Sequence, residues 1–468
     1  MTDKKSNLPH LPKGWTCELV GEIAKNIPLT GKKLKQKEYK RNGKLPVVDQ
    51  GQRFIGGYTD REELRVDAEL PVIVFGDHTK IVKFVDFDFV AGADGIKVLK
   101  PIEAFYPKLF YYFLQAVKLP EKGYARHFQF LKKALIHLPP LPEQRRIVAK
   151  IEELFTKLDA GIPSLKNVET QLRRYRQAVL KHAFEGKLTE EWRGAYKGEI
   201  EHASTLLEHI KEERKKNTKE KYKQQPSVDT SNLPELPEGW LWTRLYDVAE
   251  IILGQSPPSS TYNENGNGVP FYQGKLEFGK IYPTPRKWCT APKKIAEKGD
   301  VLISVRAPVG PTNICREKSC IGRGLAAIRG LGGIEPLFIL YLMHAFENVI
   351  SGKGTGTTFK AITGNQLKGF EIPLAPLSEQ YKIVEEIEQR FSLADETEKV
   401  VEQSLKQAKR LRQSILKKTF EGKLVPQDPA DEPAEKLLER VKRKAEENMK
   451  KSKGERRPKQ VELLRYVK

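Results

Sequence analysis

The cysteines and histidines are the first residues to test for chemistry, and their spacing supports neither a metal site nor a nucleophile. Cys315 and Cys320 form a C-x4-C pair, but no second Cys or His pair stands at the spacing that would complete a tetrahedral zinc site. His78 and His127 lie in polar segments without a Ser or Cys at a recognisable spacing. We therefore expect no catalytic residue and no metal site.

Motifs for nucleotides and cofactors are equally incomplete. The glycine-rich string at 352–358 has no lysine before its threonines, as a phosphate-binding loop would require. The SPPS string at 256–259 lacks the amide and the aromatic residue of the Asn/Asp-Pro-Pro-aromatic turn found in adenine methyltransferases. The EYK string at 38–40 resembles a metal nuclease motif without the upstream Asp. These patterns favour a binding protein over an enzyme.

The charge of the chain indicates a polyanionic partner. Its 468 residues include 82 Lys and Arg against 61 Asp and Glu, a net charge of +21. Segments 1–140, 141–225, 226–372 and 373–468 carry +8, +5, +3 and +5, so the excess is not confined to a tail. The length allows two or three domains.

Cysteine content and hydropathy predict the cellular compartment. Four cysteines in 468 residues are too few for a disulfide framework, which favours a reducing cytoplasm. The sequence MTDKKSNLPH has no apolar segment of the signal-peptide type, and no apolar run approaches the length of a membrane span. We expect a cytoplasmic protein without a membrane partner.

An internal duplication organises the chain. Residues 141–188 align without a gap onto 377–424, and 20 of the 48 positions are identical, including the FEGKL run. The string LPKGW at 11–15 recurs as LPEGW at 236–240. The order is therefore a globular half and a long helix, repeated once. The globular sequences between these anchors diverge, which predicts one scaffold with two different recognition surfaces.

The repeated segments read as long helices. Apolar residues recur in steps of three and four from Ile147 to Val179, and more weakly from Ile383 to Ile415. About 40 helical residues would span ~60 Å. We interpret the apolar seam as packing and expect the two helices to pair antiparallel. Each globular half combines short β-rich runs with an apolar helix that begins at Pro107 or Pro336, so the predicted fold class is α+β.

The repeat also predicts the domain boundaries. These are a first domain at 1–140, a first long helix at 141–190, a charged helical extension and linker at 191–230, a second domain at 231–376, a second long helix at 377–426 and a basic helical tail at 427–468.

The doubled E-Q-x-x-I-V helix, ending in FEGKL and alternating with two unlike domains that open on LPxGW, resembles the specificity subunits of type I restriction–modification systems. The resemblance covers almost the whole chain. It implies that each domain is a target recognition domain reading one half of an asymmetric, bipartite DNA site, and that the paired helices set the spacer. It further implies that the chain has no activity of its own.

The resemblance implies partners and cofactors as well. The partners are double-stranded DNA, two methyltransferase (modification) subunits docked on the helices, and two restriction or translocase subunits. S-adenosylmethionine belongs to the modification subunits, and ATP and Mg²⁺ belong to the restriction subunits, so no cofactor is expected on this chain. The repeated positions chosen as candidates for subunit docking are Glu143, Gln144, Arg176, Glu379, Gln380 and Arg412.

Polar residues of the divergent loops are the candidates for DNA contact, because Arg and Lys suit guanine edges or phosphates and Gln and Asn suit adenine. In the first domain they are Gln50, Gln52, Arg53, Asp77, His78, Lys80, Arg126, His127 and Gln129. In the second domain they are Gln273, Lys275, Arg306, Asn313, Arg323, Lys353, Thr355, Thr358 and Lys360.

Alternative functions remain open on the sequence. The chain could serve a methyltransferase without a motor, or a system of the type IIB kind. A different class is a two-headed coiled-coil scaffold that binds proteins. A stand-alone nuclease or methyltransferase would have to act without a recognisable catalytic motif.

Overall fold

The computed structural model describes residues 11–92, 95–120, 125–217, 226–353 and 361–454. The chain divides into two compact units. The first takes in the described residues up to Leu165 and from Gln403 onward, and the second is Lys166–Glu402. Each unit therefore joins one β-rich domain to parts of both long helices.

The β-rich domain of the first unit contains three small sheets. Its sheet orders are β1-β10, β2-β9-β6-β7 and β3-β8-β4-β5. The strands are β1 Thr16–Leu19, β2 Ala24–Ile27, β3 Lys33–Leu34, β4 Leu45–Val48, β5 Gly57–Thr59, β6 Val72–Gly76, β7 Val82–Val85, β8 Val90–Gly92, β9 Ile96–Pro101 and β10 Leu135–Leu138, and the helices are α1 Val20–Ile23, α2 Pro107–Ala116 and α3 Phe128–Leu131.

The two long helices have the same length. Helix α4 is Leu141–Phe184 and helix α11 is Leu377–Phe420, each of 44 residues. After α4 come α5 Glu190–Ala195 and α6 Ala203–Asn217, and after α11 comes α12 Ala434–Gly454. The duplicated sequence thus gives duplicated helices.

The β-rich domain of the second unit repeats the arrangement with additions. Its sheet orders are β11-β21, β12-β20-β17-β18 and β13-β15-β14-β19-β16. The strands are β11 Leu241–Arg244, β12 Ala249–Leu253, β13 Tyr262–Asn263, β14 Val269–Tyr272, β15 Lys287–Cys289, β16 Ile295–Ala296, β17 Val301–Ser304, β18 Thr312–Ile314, β19 Ser319–Ile321, β20 Leu325–Gly330 and β21 Glu371–Leu374, and the helices are α7 Leu245–Val248, α8 Pro336–Ala345, α9 Glu347–Lys353 and α10 Gly364–Lys368.

Strand pairing shows that the domains are equivalent. Strand β4 pairs in parallel with β8, with Val47 opposite Val90, and β14 pairs in parallel with β19, with Phe271 opposite Cys320. Helices α2 and α8 both begin on the predicted prolines, whose missing N–H suits the first helical turn. The predicted α+β fold with duplicated domains and long helices is confirmed.

The long helices pack together within each unit. In the second unit Arg176 of α4 bonds to Asp395 of α11, whereas residues 179–184 share the core with residues 383–387. In the first unit Phe155 shares the core with Ile415 and Leu416. Later residues of α4 therefore contact earlier residues of α11. The predicted antiparallel pairing is confirmed inside the second unit.

Candidate nucleic-acid interface

Three segments of the first domain meet at one sheet edge. The loop after β4 carries Gln50, whose backbone carbonyl accepts a hydrogen bond from Thr79 Oγ1 at 2.9 Å. Gln50 Oε1 also accepts from the backbone N–H of His78, in the turn after β6, at 3.3 Å. Gly95, which leads into β9, has φ +78 and no room for a Cβ, since one would lie 2.6 Å from His78. The structure therefore brings the predicted residues of two separate loops together.

The candidate side chains at this edge differ in solvent exposure. Gln52 and Arg53 are exposed, and Gln50, His78 and Lys80 are partly exposed. Arg126 and Gln129 are also exposed, and Gln129 Nε2 donates to the Arg126 carbonyl at 3.1 Å. The exposed side chains of Gln52, Arg53, Arg126 and Gln129 are therefore accessible from the solvent side.

Asp77 and His127 have a different role from the predicted one. Both are buried, and Asp77 Oδ1 accepts the backbone N–H of Phe128 at 2.7 Å. The backbone N–H of His127 donates to the Asp77 carbonyl at 2.8 Å, and its ring Nδ1 lies 3.0 Å from the same oxygen. The interpretation of these two residues as DNA contacts is revised, because their side chains fasten the segment that carries Arg126 to the turn at 77–80.

The second domain forms an equivalent edge. Gln273 and Lys275 follow β14, Arg306 follows β17 and Arg323 precedes β20, and all four line one cavity of about 200 Å³ with Ser256 and Ser304. The four side chains are exposed. Gly324 permits this convergence, because a Cβ there would lie 2.2 Å from the Gln273 carbonyl oxygen.

The pairing registers place the turns after β6 and β17 in equivalent positions. Gly76 ends β6 opposite Ile96, and Ser304 ends β17 opposite Leu325. His78 and Arg306 therefore each stand two residues beyond the strand end. Gln50-Gly51 and Gln273-Gly274 each follow the strand that makes the parallel pair. One backbone framework thus presents different side chains.

Asn313 does not face solvent. It lies in β18 and is 1% exposed. Its Oδ1 accepts the backbone N–H of Gly279 at 2.9 Å, and its Nδ2 donates to the Gly279 carbonyl at 3.1 Å. The predicted base contact at Asn313 is revised, since both ends of its amide are used inside the domain. Thr355, Thr358 and Lys360 lie outside the described residues, as does the side chain of Lys353.

Arg41 is a residue that the sequence patterns missed. It directly follows the EYK string at 38–40. A cavity of about 420 Å³ is lined by Lys40, Arg41, Arg53 and Tyr58, with Tyr39 and residues 55–57. Lys40 is neutralised by Asp60 at 2.8 Å, whereas Arg41 is exposed beside Arg53. The two consecutive basic residues at 40 and 41 are the sequence pattern that could have indicated this position.

The doubled Glu-Gln pair fastens each domain to its helix. Glu143, Gln144, Glu379 and Gln380 are at most 1% exposed. Gln144 Nε2 donates to the carbonyls of Ala104 and Pro139, each at 2.9 Å, and Gln380 Nε2 donates to the Ala375 carbonyl at 2.9 Å. Their interpretation as docking residues is revised, because these side chains have no surface to offer a partner.

The two repeated arginines are placed at equivalent helix contacts. Arg176 donates to Asp395 at 2.8 Å and to Glu398 at 2.7 Å. Arg412 donates to Asp159 at 3.1 Å, and its guanidinium lies 4.1 Å from the centroid of the Phe155 ring. Each ion pair thus joins an identical Arg and an identical Asp of the repeat, so both arginines stabilise the packing of α4 against α11.

Among the described residues, no group of three or more His, Cys, Asp and Glu side chains is arranged to hold a metal ion. Within the same ranges, no helix is both long enough and apolar enough to cross a membrane.

The chain is similar to known proteins over most of its length. The family profile of the type I restriction modification DNA specificity domain matches residues 12–167 and 237–407. A putative type I restriction enzyme MjaX specificity subunit of Methanocaldococcus jannaschii is 36% identical over 297 residues, which are 63% of this chain and 60% of the relative. That match covers less than two thirds of the relative's length.

Solved structures show the same architecture. A chain from a structural study of complex assembly and conformational transition in the type I R-M system matches 89% of this chain and 100% of its own length, with a TM-score of 0.60 and 30% identity. The HsdS subunit of Thermoanaerobacter tengcongensis matches 89% of this chain and 99% of its own length, with a TM-score of 0.51 and 29% identity.

Proposed function

The chain belongs to the family of type I restriction–modification DNA specificity subunits, which are themselves non-catalytic, and from this premise we propose that its two β-rich domains read the two halves of an asymmetric, bipartite DNA site. The observation that carries the proposal is the pair of equivalent sheet edges. The first presents Gln50, Gln52 and Arg53, whereas the second presents Gln273, Lys275 and Arg306. Unlike side chains on one framework would read unlike half-sites.

The chemistry of both edges suits duplex DNA. Arginine and lysine can bind guanine O6 and N7 or a phosphate, and glutamine can bind adenine N6 and N7. Arg323, Arg41 and Arg126 add positive charge for phosphate contacts, which position a protein without reading sequence. The net charge of +21 supplies the long-range attraction.

Helices α4 and α11 are the proposed spacer and docking platform for two methyltransferase subunits. Both are 44 residues long, and apolar side chains stand on their surfaces. The exposed ones are Tyr175, Tyr381, Leu393, Val400 and Leu411. Exposed apolar groups on packed helices fit a protein partner better than they fit DNA. The duplication supports two equivalent docking sites, one for each repeat.

The remaining components of the complex are also proposals. S-adenosylmethionine would be bound by the methyltransferase subunits, and ATP and Mg²⁺ by two restriction subunits. The proposed compartment is the cytoplasm, where the DNA of the host cell is accessible. A methyltransferase complex without restriction subunits would use the same two edges, so the DNA-reading proposal is common to both arrangements.

The experiment is to express the chain with the methyltransferase subunit of its own system and to map methylated adenines in the host genome. We expect a motif with two unlike specified parts and an unspecified spacer. The control is the same strain expressing the methyltransferase alone. A single continuous or palindromic motif would contradict the two-domain proposal. A complex that binds without sequence selectivity would favour the scaffold alternative.

A further inference from the structure

Lys83 is a buried cation in the first domain, beneath the loop that carries Gln52 and Arg53. It lies in β7, and its side chain is 3% exposed. Its Nζ donates to the Arg53 carbonyl at 2.6 Å and lies 3.5 Å from Asp49 Oδ1. Burial lowers the pKa of Lys83, and the Asp49 carboxylate opposes that shift. Burying an ammonium group costs free energy unless the charge is paired and hydrogen-bonded. The contacts of Lys83 with Arg53 and Asp49 offset that cost.

Both contacts of Lys83 are to one loop. Asp49 and Arg53 are the ends of the segment 49–53, which carries the exposed Gln52 and Arg53 side chains. Asp49 Oδ1 also accepts the backbone N–H of Gly51 at 2.8 Å. A single amine therefore holds both ends of the loop from below, while its own burial keeps it out of reach of DNA.

Asn313 occupies the equivalent position of the second domain. Lys83 stands opposite Val74 in the β6–β7 pair, and Asn313 stands opposite Leu302 in the β17–β18 pair. Val74 and Leu302 each lie two residues before the strand end, so the registers coincide. The Asn313 amide holds both backbone groups of Gly279, in the segment that follows β14 and carries Lys275. Two unlike buried polar side chains at equivalent strand positions thus each hold the segment that follows the parallel-paired strand.

We propose that Lys83 and Asn313 are positioning residues that fix the recognition loops after β4 and β14, and that each determines base discrimination at the half-site of its own domain only. This inference rests on the proposed function. Neither side chain touches DNA in this arrangement. Each acts by holding exposed groups in the geometry that a bidentate contact to a base edge requires.

The test compares two substitutions that remove the polar contacts, Lys83→Met and Asn313→Leu, in the assembled methyltransferase complex. The measurement is the initial methylation rate on the recognised DNA and on DNAs with a single base changed in either half-site. We expect Lys83→Met to lower discrimination about tenfold in the half-site of the first domain, and Asn313→Leu to do so in the other. Each variant is the control for the other.

Lys100→Met is a further matched control. Lys100 Nζ donates to the Glu69 carbonyl at 2.9 Å and lies 3.7 Å from the Glu69 carboxylate, so it makes the same kind of contact to a different loop. We expect unchanged discrimination. Lys83→Arg keeps the charge and the donors and should restore discrimination. If Lys83→Met does not fold, Asp49→Asn weakens the same contact and should relax the same half-site.

The outcomes separate this inference from the function on which it rests. Lower melting temperature with unchanged discrimination in both variants would overturn it, because the two residues would then be only structural. Equal loss at both half-sites in either variant would overturn it too. An unsubstituted complex that shows no preference for any sequence would instead refute the proposed function.

Discussion

The indole Nε1 of Trp15 donates a hydrogen bond of 3.0 Å to Oε2 of Glu143, 128 positions along the chain. Trp240 and Glu379 repeat the bond at 2.8 Å in the second unit. The Trp of the LPxGW string that opens each domain therefore binds the Glu in the first turn of each long helix. The bond closes the domain onto its helix inside a core where both partners are buried.

Removing the donor should destabilise the first unit. Trp15→Phe leaves the Glu143 carboxylate buried without this partner, and an unsatisfied buried acceptor costs about 1–3 kcal/mol. Differential scanning calorimetry of the full chain should show a lower melting temperature. The control is Trp242→Phe, since Trp242 donates from a more exposed site to the Pro234 carbonyl. Equal losses in both variants would contradict a special role for the buried bond.

The surroundings of the two glutamates differ, and the difference predicts a pH effect. Glu379 Oε1 accepts from Thr189 and from Arg193, each at 2.6 Å. Glu143 Oε1 is buried and has no hydrogen-bond partner within the described ranges. Burial raises the pKa of Glu143, although the Trp15 bond opposes the shift. A carboxyl group that binds its proton more tightly in the folded state destabilises that state once it must ionise.

Glu143→Gln should therefore gain stability relative to the unsubstituted chain as the pH rises above the ordinary Glu value of 4.5 and through the raised pKa of Glu143. Below 4.5 the two chains should differ least, because both then carry a neutral side chain that can accept from Trp15. The measurement is the difference in unfolding free energy between pH 4 and pH 7. Glu379→Gln is the matched control and should lose stability at neutral pH, because it removes the ion pair with Arg193. A pH-independent difference for Glu143→Gln would contradict the argument.

Arg306 should contribute to recognition by the second domain alone. It is exposed in the cavity with Gln273 and Lys275, and a bidentate contact to a base is worth about 1–3 kcal/mol of discrimination. Arg306→Ala should therefore slow methylation of the recognised site about tenfold or more while leaving the preference at the other half-site intact. Arg316→Ala removes the same charge from an arginine stacked 4.6 Å over Tyr282, outside that cavity. A comparable loss from Arg316→Ala would show that net charge, not position, is responsible.

The repeat made the fold predictable, because matching strings at both ends of each domain fix the order of elements before any strand is assigned. The direction of individual side chains was not predictable in the same way. Glu143 and Glu379 are identical in the repeat because they share one internal bond, yet identity alone could not distinguish that from a shared partner. Asn313 is polar in a short strand, and only the tertiary fold places its amide against Gly279 rather than solvent.

Contacts between loops that are distant in sequence were also not predictable. Gln50 and His78 are distant in sequence and follow strands of two different sheets, so their contact depends on how the tertiary fold brings β4 and β6 together. Non-local pairing of this kind leaves no periodic signal in the sequence. Gln52 and Arg53 were found because polar groups beside a glycine between β-rich runs are typical of exposed loops.

The proposed spacer role of the helices predicts how the recognised DNA responds to insertion. A heptad added to α4 alone, after Leu165, would lengthen α4 but not α11 between the Arg176–Asp395 and Arg412–Asp159 contacts, so both ion pairs could not keep their register. Matched heptads after Leu165 and after Glu402 preserve the pairing within both units, because seven residues return each helix face to nearly the same direction. Seven helical residues lengthen each helix by about 10 Å. At 3.4 Å per base pair, the unspecified part of the methylated motif should lengthen by about three base pairs, with both specified parts unchanged. The single insertion is the control and should give an unstable chain or no methylation. Methylome sequencing measures the result, and altered specified sequences would show that the helices themselves read bases.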